Sequence, residues 1–402
     1  MPIPELVAKF FEPKRPEPRA LGDKIKGDGI KPIVRLSTRR FVMQMGFACN
    51  ARCSFCYYLD SIKTGTTKDF STEEIKERFR EAKSLGIDQV DISGGEPTIR
   101  PDLPEIIRYA RDLGFVKICV ITNGIRLADE NYANMLVDAG LNDILFSTHG
   151  TTKEEHESLV NIPGSFDRIW KAIENIHKRK EVELRFNMTI TNLNYQHTDA
   201  FFEKVKAYHP AEVNLLVFNP SQEATETQEE KVRFVTYNDI GEAIGKSITN
   251  YKDQLPIINV RWIPYCMLKG HEEHVRTMWQ KMYEDKEWDP YLNIKYNLGT
   301  MPAVGSAIAG AILYPFKAPR HGTRNWYTKI NEMISTYRQV HYYKHLKPCD
   351  LCSLKKICPG LPRDYVDKYN KTVLRPYQLG ETISDPLYFS TKYPEKFTSL
   401  RM

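Results

Sequence analysis

The sequence predicts an α/β fold, a partial (β/α)6 barrel of the TIM type followed by a cysteine-containing α+β cap. Between residues 41 and 218, six short apolar segments alternate with segments of helical periodicity. This order is typical of parallel strands joined by right-handed helical crossovers. Polar and glycine-containing motifs follow the strands repeatedly, and in α/β barrels the carboxyl ends of the strands carry the active site.

The elements of this repeat follow one another at short intervals. A strand candidate at 41–47 leads into a loop with three cysteines. Ser71 and Glu74 make a capping-box pattern at the start of the first helix, which Gly86 ends. The later strands and helices are predicted at 89–93, 102–113, 116–121, 129–139, 143–147, 165–178, 182–190, 198–207 and 212–218.

Three regions are expected along the 402 residues. Residues 1–38 form an arm rich in proline and basic residues, residues 39–222 form the barrel, and residues 223–402 form the cap. A polar, acidic segment at 221–230 is the predicted linker between barrel and cap.

The composition is that of an ordinary soluble protein, with 41% hydrophobic and 27% charged residues. A net charge of +6 is mild at this length and favours neither nucleic acid nor a membrane surface as partner. The longest apolar stretch, 303–316, is shorter than the ~20 residues of a membrane span, and we expect it to be buried or to line a cavity. No signal peptide is readable, which predicts a cytoplasmic location.

Eight cysteines in a chain without a secretion signal indicate metal binding rather than disulfides. Cys49, Cys53 and Cys56 have a C-x3-C-x2-C spacing with no obvious fourth ligand nearby. Three thiolates leave one iron of a [4Fe–4S] cluster open, whereas structural zinc prefers four ligands. We favour the open iron–sulfur site over zinc or a chance group of buried thiols. Cys119, inside an apolar strand, is expected to be a small core residue.

The cysteine loop and a later turn together resemble the radical S-adenosylmethionine (SAM) superfamily. Phe55 is the aromatic residue of the loop, and the turn Gly94-Gly95-Glu96-Pro97 follows one strand later. The resemblance covers roughly residues 39–220. It implies that the three cysteines hold a [4Fe–4S] cluster, that one electron cleaves SAM at its open iron, and that the resulting 5′-deoxyadenosyl radical abstracts a hydrogen atom from substrate.

The resemblance also implies where SAM is held. Phe55 would lie against the adenine, Gly94 and Gly95 would let the main chain approach the methionine moiety, and the region of Glu96 would orient its ammonium group. Ser147 would contact the ribose. The full set of predicted SAM-binding residues is Phe55, Gly94, Gly95, Glu96, Pro97, Asn123, Ser147, His149 and Arg185.

Three of these residues have simpler alternatives. Ser147 and His149 could cap the following helix. Arg185 could bind a carboxylate, lie exposed on its strand, or pair with Glu183.

The C-terminal cysteines Cys349, Cys352 and Cys358 resemble the cysteine block of SPASM and Twitch extensions, which hold auxiliary [4Fe–4S] clusters. A full SPASM block carries more cysteines. With Cys266 as fourth ligand, this chain has enough for one auxiliary cluster, and structural zinc on the same thiols is the rival interpretation. Alternatively, Cys266 is the hydrogen donor of a radical epimerase.

The predicted reaction is hydrogen abstraction from a peptide side chain or a small polar metabolite, with the auxiliary cluster taking up the electron. A redox-neutral epimerase and a non-catalytic iron–sulfur electron carrier are the alternatives. The expected partners are an unidentified substrate and a flavodoxin- or ferredoxin-type reductant, with no membrane and no nucleic acid. A basic run, Lys317, Arg320, His321 and Arg324, either meets an anionic substrate group or is a solvated loop.

Overall fold

The computed structural model describes residues 38–56, 58, 69–218, 235–281, 287–317, 326–369 and 373–392. The predicted arm up to residue 37, the predicted linker and the basic residues Arg320, His321 and Arg324 lie outside these ranges. All described residues belong to one compact unit. The predicted boundary between barrel and cap near residue 222 stays a prediction.

Eight parallel strands form a single sheet in chain order. The strands are β1 (Arg40–Gln44), β2 (Gln89–Ser93), β3 (Lys117–Thr122), β4 (Asp143–Ser147), β5 (Glu183–Ile190), β6 (Glu212–Val217), β7 (Ile258–Arg261) and β8 (Val275–Arg276). The first six are the predicted strands, so the α/β class is confirmed. Two further strands from the region beyond residue 222 extend the sheet. A small antiparallel pair, β9 (Tyr343–Lys344) and β10 (Leu361–Pro362), lies outside it.

Helices connect the strands and dominate the C-terminal part of the chain. They are α1 (Thr72–Ser84), α2 (Leu103–Asp112), α3 (Glu130–Ala139), α4 (Lys153–Val160), α5 (Ser165–His177), α6 (Thr198–Lys206), α7 (Tyr237–Tyr251), α8 (Met278–Lys281), α9 (Pro290–Leu298), α10 (Thr300–Lys317), α11 (Trp326–Tyr342), α12 (Arg363–Tyr369) and α13 (Tyr388–Lys392). The capping box of Ser71 and Glu74 is present at α1. Helix α4 is not predicted, although Thr152 caps it and Glu155 follows at the capping-box distance.

The two faces of the sheet differ in polarity. In β2, Val90 and Ile92 are buried in the apolar core, whereas Asp91 between them lines a polar cavity. Successive side chains of a strand point to opposite faces, and the same alternation recurs along β4 to β7. The apolar core therefore lies between the sheet and its helices, and the inner face is polar, unlike the packed branched interior of most α/β barrels.

Buried ion pairs join strands that are not neighbours. Arg40 on β1 contacts Asp143 on β4 at 3.2 Å, and Arg185 on β5 contacts Asp91 on β2 at 3.3 Å. Strands three places apart in a flat sheet would lie about 14 Å from one another. These contacts across the inner face require the sheet to curl, as a partial barrel does.

Helix α10 includes the apolar stretch 303–316. Its Gly310 side packs closely against α11, since a side chain there would meet the Met333 carbonyl. Ile308 and Ile312 on another side are 61% and 72% exposed. The expectation of burial is thus wrong for these two residues, and the alternative that the stretch lines a cavity stays a prediction. None of the helices in the described ranges combines the length and apolar character needed to cross a bilayer.

Candidate functional site

The cysteine loop is fixed on one side by the glycine turn after β2. The N–H of Gly95 donates to the Gly46 carbonyl at 2.9 Å, and the N–H of Glu96 donates to the Ala48 carbonyl at 2.8 Å. A Cβ atom on Gly95 would lie 2.1 Å from the Ala48 oxygen. Glycine is therefore required by this main-chain contact, independently of the predicted approach of SAM to Gly94 and Gly95.

The other side of the loop is held by the end of α4. The N–H of Ser54 donates to the Leu159 carbonyl at 2.8 Å, and the side-chain amide of Asn161 donates to the Arg52 carbonyl at 2.7 Å. Asp69 accepts from the N–H of Phe47 at 2.6 Å. The sequence carries no local signal for Asn161 or Asp69, because both act on residues distant in the chain.

The three thiols of the loop are half-buried, and, in addition to burial, Cys49 and Cys56 are near enough to raise the pKa of Cys53. Burial raises the pKa of Cys49 to about 11 and also raises that of Cys53. Among the described cysteines, no three sulfurs lie within 4.8 Å of one another. A single zinc ion would hold its thiolates about 3.8 Å apart. A [4Fe–4S] cluster is a larger body, and the thiol set fits it better than one ion.

Glu96 is buried and its carboxylate is occupied by protein donors. It accepts hydrogen bonds from the N–H and hydroxyl of Thr98, the hydroxyl of Thr122 and the N–H of Asn123, at 2.6–3.1 Å. Burial nevertheless raises its pKa. Pro97 begins a short turn directly after it. The Glu96 side chain thus joins the glycine turn to the end of β3, and any contact with the SAM ammonium falls to the neighbouring main chain.

Asn123 lies at the end of β3 and reaches the cysteine loop. Its side-chain amide donates to the Asn50 side chain at 2.8 Å. Asn50 is next to Cys49 in sequence, and its contact with Asn123 could not be predicted from the sequence.

Phe55 and His149 form an edge-to-face ring pair with centroids 4.5 Å apart. Phe55 also packs on Leu159 and Phe218. The Nδ1 atom of His149 accepts from the N–H of Thr189 at 3.2 Å, which leaves the proton on Nε2. Burial lowers the pKa of His149 well below its usual range, so the imidazole is neutral near pH 7.

Ser147 is the last residue of β4 and lies in register with Asn187 on β5. Its hydroxyl has no hydrogen-bond partner among the residues the structure describes. The capping alternative for Ser147 and His149 is wrong, because Thr152 caps the following helix. The predicted ribose contact of Ser147 stays a prediction.

Arg185 lies in the sheet interior rather than on an exposed surface. Its Nε donates to Asp143 at 2.7 Å and its Nη2 to the Cys119 sulfur at 3.0 Å. Glu183, the partner considered above, instead pairs with Lys117 at 2.7 Å. The exposed and Glu183-paired alternatives are therefore wrong. This arrangement favours an internal ion-pair role over contact with the SAM carboxylate.

The close group of Asp91, Cys119 and Asp143 is buried. Arg40 and Arg185 supply positive charge to it, as a metal ion otherwise would. Cys119 is a buried core residue as predicted, although its surroundings are charged.

A second cavity lies in the C-terminal region and is lined by four thiols. They belong to Cys266, Cys349, Cys352 and Cys358. The N–H groups of Tyr377 and Gly360 point at two of the sulfurs, at 3.4 and 3.5 Å from Cys352 and Cys358 respectively. Such hydrogen bonds to sulfur are a normal feature around iron–sulfur clusters, so the donor set fits one.

The sequence match to a known family covers the end of β1 and strands β2 to β5. Residues 43–205 match the sequence model of the Radical SAM superfamily. This segment of the chain is a radical SAM domain. Proteins with this domain are enzymes, and the cofactors of the domain family are a [4Fe–4S] cluster and SAM.

Curated relatives of this radical SAM chain match part of their length. A probable GTP 3′,8-cyclase from Metallosphaera sedula is 33% identical over 172 residues, which is 43% of this chain and 53% of the relative. A second, from Saccharolobus islandicus, is 31% identical over 172 residues, with 43% and 54% covered. The chain thus spans about half the length of these relatives.

Two solved structures are also similar over part of the chain. SuiB from Streptococcus suis, bound to the precursor peptide SuiA, gives a TM-score of 0.45 at 17% identity, covering 54% of this chain and 47% of SuiB. Methylornithine synthase (PylB) gives a TM-score of 0.43 at 18% identity, covering 56% of this chain and 64% of PylB.

Proposed function

We propose that this chain cleaves SAM reductively and uses the 5′-deoxyadenosyl radical to abstract a hydrogen atom from a peptide side chain or a small polar metabolite. The observation that carries the proposal is the pair of main-chain hydrogen bonds between the cysteine loop and the Gly94–Pro97 turn. It supports the proposal because it joins the loop that carries the three cysteines to the turn that resembles a SAM-binding motif. The bound cofactors supply the radical chemistry, and the protein supplies orientation and exclusion of water.

We further propose an auxiliary [4Fe–4S] cluster of the Twitch type, held by the four C-terminal cysteines. All four line one cavity. Full ligation by protein suits uptake of the electron left after hydrogen abstraction, so the net reaction is an oxidation or an oxidative cross-link. In a rearrangement the substrate radical would instead be reduced again at the end of the reaction. The shared cavity favours ligation by Cys266 over the epimerase role. A flavodoxin- or ferredoxin-type reductant and a cytoplasmic location complete the proposal.

GTP is a second candidate substrate, because curated relatives are named probable GTP 3′,8-cyclases. Their similarity covers 43% of this chain. It therefore supports a shared core chemistry more strongly than it supports a shared substrate.

Iron and sulfide analysis after anaerobic reconstitution tests the proposal. Wild type is expected to hold about eight irons, and the Cys49/Cys53/Cys56→Ala variant about four. The reduced wild-type protein is expected to convert SAM to 5′-deoxyadenosine. About four irons falling to near zero would remove the auxiliary cluster from the mechanism. Two intact clusters without SAM cleavage would favour the electron-carrier alternative.

A further inference from the structure

A polar cavity lies inside the curled sheet, next to the predicted SAM site. Strands β5, β6 and β7 each contribute an asparagine to its wall: Asn187, Asn214 and Asn259. Asn187 is directly opposite Asn214, and Asn214 is directly opposite Asn259, in the strand register. We call these three residues the asparagine row. Ser147 extends the row by one strand toward the predicted ribose contact.

The asparagine row has hydrogen-bonding capacity that the protein does not use. Asn259 donates to Glu212 at 2.7 Å, but its Oδ1 atom is buried and has no partner among the described residues. No described residue hydrogen-bonds to the Asn187 side chain. A buried amide oxygen without a partner is unfavourable, and a ligand hydroxyl or N–H would satisfy it.

The charges around the cavity compensate one another. Its wall contains three carboxylates and three guanidinium groups. Arg261 makes a two-pronged ion pair with Glu287 and also lies 3.9 Å from Glu212. An anionic ligand would have to enter a largely buried site in which Arg185 and Arg261 are already paired with carboxylates, and burying an unpaired charge is costly.

Two indole rings complete the wall. Trp262 follows β7 with a positive φ of 63°, a conformation rare for an aromatic residue and frequent at binding sites. Trp288 donates from Nε1 to Asp91 at 2.6 Å, which fixes its ring. Flat apolar rings beside amide side chains suit a ligand with one apolar face and many hydroxyl groups.

We infer that this cavity binds an uncharged polyhydroxylated ring, with its hydroxyls on the asparagine row. The inference rests on the proposed function, since it assigns the small-metabolite substrate class to the same site. An elongated anionic substrate such as a nucleoside triphosphate does not suit this wall.

Calorimetry tests the inference. Each probe is titrated into the reconstituted protein in the presence of SAM, with the iron–sulfur clusters left unreduced so that SAM is not cleaved. The probes are paired by charge: methyl glucoside and inositol against their phosphates, and guanosine against GTP. The key variant is Asn187→Leu, which keeps the branched shape of the side chain, removes its hydrogen-bonding atoms and breaks no described side-chain hydrogen bond. Asn131→Leu, on the exposed side of α3, is the matched control. Circular dichroism and iron content show whether each variant is folded and loaded.

At least one neutral probe is expected to bind wild type and the control variant, and to bind both more tightly than its phosphate does. Its affinity for Asn187→Leu is expected to be about tenfold weaker. Preference for the phosphates, no binding of any neutral probe, or unchanged binding to Asn187→Leu would overturn the inference. Formation of 5′-deoxyadenosine is measured on the same preparations. A protein that binds the neutral probe without cleaving SAM would contradict the proposed function and leave the ligand class standing.

Discussion

The N–H of Glu96 donates a 2.8 Å hydrogen bond to the carbonyl oxygen of Ala48, the residue before Cys49. The same glutamate accepts from Thr122 and Asn123 at the end of β3. One residue therefore connects the first cluster ligand to the strand that follows the glycine turn. Damage to this connection is expected to affect metal loading before it affects the fold.

Gly95→Ala tests the contact between the turn and the loop. The added Cβ would lie 2.1 Å from the Ala48 oxygen, and neither main chain can yield easily. We expect the variant to lose the first cluster, with iron falling from about eight to about four per chain. Gly305→Ala is the control, since a Cβ there meets nothing within 4 Å. It should keep wild-type iron, and equal losses in both variants would contradict this account.

Asp143→Asn tests the buried ion pairs of the sheet interior. Asp143 is fully buried and accepts from Arg40 and Arg185, whose positive charges lower its pKa. Removing its charge leaves both guanidinium groups undercompensated, which should lower the free energy of unfolding by about 3–5 kcal/mol. Urea unfolding measures the change. Asp167→Asn breaks an exposed pair with Lys153 and should leave stability unchanged. A small effect at Asp143 would mean that water compensates the lost charge.

Buried histidines should make the protein sensitive to mild acid. Burial lowers the pKa of His156 from 6.5 to about 4. The unfolded chain then binds a proton that the folded chain excludes, so stability is full above pH 6.5 and is lost as the pH falls toward 4. The contribution is at most about 3 kcal/mol.

Urea unfolding at several pH values checks this expectation. His156→Asn keeps an acceptor for the N–H of His149 and should flatten the pH dependence between 6.5 and 4. His341→Asn, at an exposed histidine, should keep the wild-type slope. Identical slopes in wild type and His156→Asn would show that other groups dominate acid unfolding.

Cys266→Ala separates the two roles considered for this thiol. If Cys266 is a ligand, the variant should hold fewer irons than wild type, about four if the auxiliary cluster is lost completely. Cys119→Ala, which removes a thiol outside both cysteine sets, should retain about eight. Full iron loading of Cys266→Ala with accumulation of uncoupled radical products would instead support the epimerase.

Local patterns in the sequence were sufficient to predict the first six strands. Cys266 and the C-terminal triplet could also be grouped from a family resemblance, and the structure brings all four to one cavity. Strands β7 and β8 were not predicted, because they are short and no regular helix–strand alternation leads to them.

The partners of Arg185 and the asparagine row could not be predicted from the sequence. Arg185 forms ion pairs with Asp143 and Asp91, and the pair with Asp91 is possible only because the sheet curls. The neighbouring sequence instead suggested Glu183 as its partner. Asn214 and Asn259 stand alone among apolar neighbours in their strands. Their alignment depends on strand register, which long-range pairing fixes.

The unequal polarity of the sheet has an evolutionary consequence. Outward side chains such as Val213 and Val260 carry the packing energy, while Asn214 and Asn259 beside them in sequence contribute little to it. Apart from the residues of the buried ion pairs, inner residues could be exchanged one at a time during evolution. Such exchanges could bring new chemistry while the protein stays stable enough to fold. Alternate positions of one strand are thus free to evolve at different rates.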